Sequence, residues 1–228
     1  MRKDKLIAIQ LRKKGNSYSQ IRKIMKVPKS TLSYWLRDLK ISEEAREKIM
    51  KRAHSASIAG LMKRNKNQTF LAKQRADEIR QKARQEAGKL FRNPLFISGV
   101  SLYWAEGYKK GAFGSKWKGV DFANSDPEII KVMMKFFRKL CGVRNEKYRI
   151  QLMVHDNMSA KKALNFWSVL TKIPKRQFMK ISRIVSKSSK RKRSPNSLIY
   201  GTIHIRIADV KLFFRIIGWI DGLKEKLI

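Results

Sequence analysis

Apolar residues alternate strictly over residues 147–155, with Tyr148, Ile150, Leu152 and Val154 on one side and Arg149, Gln151, Met153 and His155 on the other. The pattern returns over 199–207, where Ile199, Ile203, Ile205 and Ile207 oppose Tyr200, Thr202, His204 and Arg206. Period-two alternation predicts half-buried strands with one core face and one polar face, and a single sheet would present both polar faces together. An ordinary amphipathic sheet with a wet outer face is the plain alternative. Elsewhere the spacing is helical. Leu6, Ile9, Ile21, Ile24, Val27, Leu32, Trp35 and Leu36, interrupted at Gly15 and at Val27 and Pro28, predict three short helices in residues 1–40. The first spans 4–14 and ends at Gly15 and Asn16, the second is capped by Ser17 or Ser19, and the third spans 28–37.

Residues 42–92 hold no proline and few β-branched side chains, and repeat Ala, Lys, Arg, Glu and Gln. They predict a long helix or a helical pair, with breaks at Gly60 and at 65–67. An unbroken helix of ~50 residues would reach ~75 Å and serve as a linker. A pair packed on the neighbouring domain is the other reading. Asn93 and Pro94 start the next helix. Glycine-punctuated segments 108–113 and 117–123 suggest a hairpin. Helices follow over 126–140, over 158–170, which would brace the sheet, and over 209–227. The last carries Leu212, Phe213, Ile216, Ile217, Trp219 and Ile220, wide enough to be core. The division is residues 1–40, a basic helical connector at 41–93, and a domain at 94–228, in an α+β fold.

Fifty-four basic against seventeen acidic side chains give 228 residues a net charge of +37, yet 43% of the chain is hydrophobic, enough for a core. The usual partner of such a field is nucleic acid, with an anionic membrane as competitor. The longest apolar stretch, 95–105, is about half the ~20 residues that span a bilayer, and the start shows no signal-peptide core. A soluble, cytoplasmic protein is expected, with no membrane partner and no small-molecule cofactor. A single cysteine, Cys141, excludes an internal disulfide and a CxxC zinc site; its plain role is a small buried hydrophobe. His54, His155 and His204 are too dispersed for a local ligand cluster.

Residues 99–107, GVSLYWAEG, form a short apolar helix in which Ser98, Ser101 and Ala105 are three and four apart, on one stripe that would let a second helix approach closely. Glu106 lies in the last turn, at the negative end of the helix dipole, where a cation must compensate it. Gly107 then stops the helix. This segment resembles the nine-residue motif of the LAGLIDADG homing endonucleases in Ser101, Leu102, Ala105, Glu106 and Gly107, with Gly99, Val100, Tyr103 and Trp104 as departures. Residues 122–142, FANSDPEIIKVMMKFFRKLCG, resemble that family's second strand running into its second helix. Residues 15–38, GNSYSQIRKIMKVPKSTLSYWLRD, resemble a homeodomain-like helix-turn-helix, with Trp35 and Leu36 anchoring the third helix.

The resemblance implies an αββαβ(α)βα domain with an antiparallel saddle sheet lying in the major groove, so that Arg149, Gln151, Thr202, His204 and Arg206 would touch bases or phosphates. It implies that Glu106 binds catalytic Mg2+ beside the scissile phosphates of double-stranded DNA. In the helix-turn-helix, Lys29, Ser30, Thr31, Ser33, Tyr34 and Arg37 would face DNA; a three-helix cap with a solvated basic face is the alternative. The basic run at 182–196, with Lys187, Lys190, Arg191 and Arg193, reads as a loop that meets phosphate, a nuclear-localisation signal being the rival.

Metal-assisted phosphodiester cleavage needs more than one carboxylate. A single motif copy points to a homodimer that pairs two Glu106 side chains, packed through Ser98, Ser101 and Ala105, on a roughly palindromic site. Asn124 and Lys109 or Lys110 are candidates for water positioning and charge neutralisation. A transposase core would need acids in strands, whereas Asp121, Asp126, Asp156 and Asp209 read mostly as turn or helix-start residues. Two alternatives remain: a non-cleaving transcription regulator built on the same fold, and a structured-RNA-binding protein that stacks bases on Trp104, Trp117 or Tyr148. In either, Glu106 would merely pair with Lys109 or Lys110.

Overall fold

In the computed structural model, residues 3–155, 158–184 and 199–228 are described, and the chain divides into two units, Met1–Ala72 and Lys73–Ile228. The first is built from α1 (Lys3–Lys13), α2 (Tyr18–Met25), α3 (Lys29–Leu36) and the start of α4 (Glu43–Leu90). Ser17 caps α2 in a reciprocal box: its Oγ accepts from Gln20 N, and Gln20 Oε1 accepts from Ser17 N at 2.8 Å. Lys26 closes α2 in the left-handed region at φ 55°. Pro28, which lacks a donor, stands immediately before α3. Ala8, Ile21, Leu32 and Leu36 form a small core, with Trp35 only partly buried against it. Leu6 and Ile24, apolar in the pattern, are exposed at 47% and 60%.

The helix α4 runs through Gly60 and 65–67 without the expected breaks. Its N-terminal part is tied to the first unit by Arg52, whose Nη1 donates to Gly15 O at 3.0 Å. Ser42 Oγ accepts from Ala45 N, and Glu44–Lys48 and Glu47–Lys51 are four apart, the spacing that supports an exposed helix. One exposed Gly costs a helix only about 1 kcal/mol, too little to break a run of Ala, Lys, Arg and Gln.

The second unit places α5 (Pro94–Glu106), α6 (Pro127–Lys135), α7 (Ala160–Thr171) and α8 (Val210–Leu227) with a four-stranded sheet, β1 (Val120–Asn124), β2 (Tyr148–His155), β3 (Ser182–Ile184) and β4 (Thr202–Ile207). Strand order is β1-β4-β2-β3. The pairs β1/β4 and β2/β4 are antiparallel, but β2/β3 is parallel, so the sheet is mixed rather than purely antiparallel. Residues 182–184, expected within the basic loop, form its edge strand instead. Val120, Phe122, Tyr148, Ile150, Leu152, Val154, Ile203, Ile205 and Ile207 point inward and are at most 1% exposed. Ile199 does not continue that row: it lies in the turn before Gly201 (φ 70°) and is 62% exposed.

The expected hairpin after α5 does not form. Residues 110–113 curl into a 3-10 turn, and the first strand is reduced to one bridge, Gly107 with Phe122. Side chains explain this: Tyr108 Oη meets Ser115 Oγ at 2.8 Å, its ring packs edge-on to Trp117, and Gly111 sits so close to Trp117 O that a Cβ would be 2.7 Å away. The helix over 126–140 is present as α6 plus a wider π turn through Leu140. Trp167 of α7 is buried and donates Nε1 to Tyr200 O at 2.8 Å, bracing the sheet.

In this unit α8 also packs closely on the end of α4. Gly218 and Gly222 face Ala83 and Ala87, and a Cβ on Gly218 would stand 2.2 Å from Arg80 O. Glu86 accepts from Arg215 and from Trp219 Nε1, and Asp221 accepts from Arg80. No described helix is long and apolar enough to cross a membrane.

Candidate nucleic-acid interface

In the first unit, helical spacing divides α3 sharply. Leu32 and Leu36, four apart, point into the core, while Lys29, Ser30, Ser33, Tyr34 and Arg37 are exposed and Thr31 is partly so. Tyr34 is 75% exposed, an aromatic side chain with no core role. Arg22, Lys23, Lys26 and Lys29 line a shallow cleft with Val27 and Pro28 at the turn entering α3. The first three were not among the sequence candidates, although the basic run around the turn was the available signal. Four cations around one turn, with no acid among them, make a local positive field suited to phosphate.

In the second unit, the outer face of the sheet carries the polar half of each alternation. Register sets Asp121, Arg206 and Arg149 abreast, then Ala123, His204 and Gln151, then Thr202, Met153 and Ser182. Arg149 Nη1 is turned back onto Glu146 O and Tyr148 O, both at 2.8 Å, and Gln151 Nε2 donates to Ser182 Oγ at 2.9 Å. Asp121, one of four aspartates expected mostly at turns or helix starts, stands within β1. Its Oδ2 accepts from Arg206 Nε at 3.0 Å and its Oδ1 lies 3.0 Å from His204 Nδ1. Burial alone would raise the Asp121 pKa, but the hydrogen bond and charge of His204, with Arg206, outweigh it and hold the carboxyl below its ordinary value. Sequence reasoning missed this residue because its partners lie over eighty positions away. The candidates Lys187, Lys190, Arg191 and Arg193 lie outside the described residues, as does Asp156.

The motif helix α5 begins with Asn93 Oδ1 accepting from Leu95 N and Phe96 N, and Pro94 in the first turn. Phe96, Gly99, Val100 and Tyr103 are buried; Gly99 makes room for the Phe136 ring, which a Cβ would meet at 2.2 Å. Gly107 is not a left-handed stop: at φ −75° it is a glycine because a Cβ would meet the Tyr103 ring at 2.6 Å. On the opposite stripe, Ser98 and Ala105 are exposed and Ser101 is partly buried, so nothing in the second unit's own core covers them fully.

Glu106 is exposed at the helix end. Lys109 Nζ donates to Trp104 O at 2.8 Å and to Gly107 O at 2.7 Å, so an ammonium already answers the negative end of the dipole. Burial lowers the Lys109 pKa and the nearby Lys224 adds to this, while the Glu106 charge opposes it. Asn124 ends β1, and its Oδ1 accepts from Asp126 N at 2.8 Å, which closes the turn into α6. Lys110 is exposed in the 3-10 turn. Among the described residues, no three His, Cys, Asp or Glu side chains converge as metal ligands. Compared with known proteins, the chain matches no family model, no curated sequence and no solved structure.

Proposed function

We propose that this protein binds double-stranded DNA sequence-specifically and cuts it as a homodimer, in the manner of the LAGLIDADG endonucleases it resembles. The observation that carries DNA binding is the exposed face of α3, Lys29, Ser30, Ser33, Tyr34 and Arg37, on a chain of net charge +37. A helix-turn-helix offers this face to the major groove. The sheet's outer face supplies a second set of polar side chains. Each unit contributes its contacts separately.

For cutting, the support is an exposed Glu106 next to an uncovered stripe of small residues. Two copies packed through Ser98, Ser101 and Ala105 would bring two carboxylates together. Mg2+ fits this donor set, because it binds through one or two carboxylates and completes its shell with water and phosphate oxygens. When bound, Mg2+ would supply a Lewis acid and a nucleophilic water. Glu106 would hold it, and Lys109, fixed on the helix-end carbonyls, would keep a positive charge beside the phosphates. Asn124, its Oδ1 already engaged, would offer only its Nδ2 to a water.

A second reading, a regulator that binds without cutting, draws on Lys109: with the helix end already compensated, Glu106 needs no metal. Incubating a duplex DNA library with Mg2+ and either wild type or Glu106→Gln separates the two. Cleavage by wild type that disappears in the variant, with binding retained, supports the nuclease. Binding by both without cuts supports the regulator, and preference for structured RNA over duplex overturns both.

A further inference from the structure

Asp121 is out of place on a surface that meets nucleic acid. The chain has seventeen acids against fifty-four basic side chains, and this one stands on the polar face of the sheet, in its edge strand β1, where phosphates would repel it. Its side chain is 16% exposed, and those of His204 and Arg206 are 22% and 34% exposed. Both carboxylate oxygens are committed, one to His204 Nδ1 and one to Arg206 Nε, each at 3.0 Å. The ionised carboxylate has no proton to give, so the His204 Nδ1 that faces it is the donor.

This arrangement has a consequence for the arginine. The carboxylate takes only Nε, and among the described residues no partner takes up the two Nη groups of Arg206. A guanidinium held by Nε presents its Nη fork as a rigid plane, the shape that matches O6 and N7 of guanine in the major groove. Its neighbour in the row, Arg149, is bound back onto carbonyls and cannot play that part through the same Nη1. The rotamer freedom of Arg206 is lost at folding rather than at binding, which favours a preset contact over a yielding one. A carboxylate behind the fork also penalises phosphate, so it discriminates between a base edge and the backbone.

The geometry points to Asp121 as a positioning residue that sets Arg206, with His204 beside it, to read a guanine-containing step in duplex DNA. This inference rests on the DNA-binding reading above and adds a residue and a base to it. Tyrosine, serine and lysine contacts elsewhere do not depend on it.

The test selects bound sequences from a random duplex pool with full-length wild type, Asp121→Asn and Arg206→Lys, at fixed salt and without added metal. Wild type is expected to select a motif with a guanine that both variants lose, by roughly ten- to a hundredfold in preference for that base. Binding of Asp121→Asn to a scrambled duplex should be unchanged or stronger, because a repelling charge has gone. Arg206→Lys keeps the charge and leaves the carboxylate partnered, so it serves where Asp121→Asn melts early. The inference is overturned if either folded variant keeps the wild-type preference, if the two variants lose different bases, or if Asp121→Asn weakens every sequence equally. A wild type with no preference on duplex DNA overturns the DNA-reading proposal itself, a failure that is visible before any variant is compared.

Discussion

Gly218→Ala and Gly88→Ala are the same chemical change in the same unit, and the structure assigns them opposite signs. Removing a helical glycine stabilises a helix by about 1 kcal/mol through lost backbone freedom in the unfolded chain. At Gly88 a new Cβ meets nothing within 4 Å, so the full gain is expected. At Gly218 the Cβ would be 2.2 Å from Arg80 O and 2.8 Å from Ala83 Cβ, against ordinary contacts of 3.4–4 Å. The obstacle is backbone, so α8 must move off α4 by more than an ångström, stretching the hydrogen bonds of Glu86 to Arg215 and Trp219. Overpacking costs about 1–3 kcal/mol, and the upper end applies where a carbonyl blocks the site. With the propensity gain subtracted, Gly218→Ala should lose about 2 kcal/mol. At about 2–4 °C per kcal/mol for a unit of this size, the midpoint falls by about 4–8 °C, while Gly88→Ala rises by about 2–4 °C. Thermal unfolding followed by circular dichroism reads both. Equal shifts in the same direction would refute the α4/α8 packing argument.

The remaining predictions concern acid, assembly and metal. The Arg215 hydrogen bond holds the Glu86 pKa below its ordinary value, joined by Trp219 against opposing burial, and Asp121 is depressed as well. A depressed carboxyl contributes stability that is complete above its unfolded pKa and is lost as pH falls through the folded one. Stability should therefore be level at neutral pH and decline below the ordinary carboxylate range, with a shallower decline in Glu86→Gln; an unchanged acid profile in that variant contradicts the assignment. Ala105→Arg adds a bulky charge at an exposed position, so the unfolding midpoint should hold within about 0.5 kcal/mol while a dimer seen by light scattering in wild type dissociates. A monomeric wild type, or a variant that stays dimeric, removes the α5 stripe from the interface. In the cleavage assay, chelating Mg2+ should abolish cutting by wild type and leave its duplex binding within about twofold, because the basic contacts themselves need no metal.

The parts of this fold governed by local period were legible. Tyr148 to Val154 and Ile203 to Ile207 alternate in sequence and alternate in burial, because one face of the sheet is covered and the other is not. Ser17 and Asn93 announced helix starts through the caps they form. What depended on distant partners was not legible. Gly218 and Gly222 are spaced like Ser98, Ser101 and Ala105, and no local property says which stripe finds a second helix within the chain. The hairpin after α5 lost to tertiary packing, since Tyr108 and Gly111 are held by Ser115, Trp117 and Phe213 rather than by a ladder. Asp121 carries a residue type disfavoured in strands, and only β4, more than eighty residues on, reveals why it is there. Lys109 compensates the helix end beside Glu106 locally, through the Trp104 and Gly107 carbonyls, and no spacing in the sequence announces that contact.

Whether this chain is a reader of duplex DNA is decided by titrating its affinity for a selected duplex and for a hairpin RNA against salt. Arg22, Lys23, Lys26, Lys29 and Arg37 around α3 alone offer five cations; at about −0.9 per phosphate neutralised, log K should fall against log salt with a slope of about −4.5 or steeper on the duplex. That slope is expected together with tighter binding to the selected duplex than to scrambled duplex or RNA. Affinity indifferent to salt, or highest for the RNA, would contradict it.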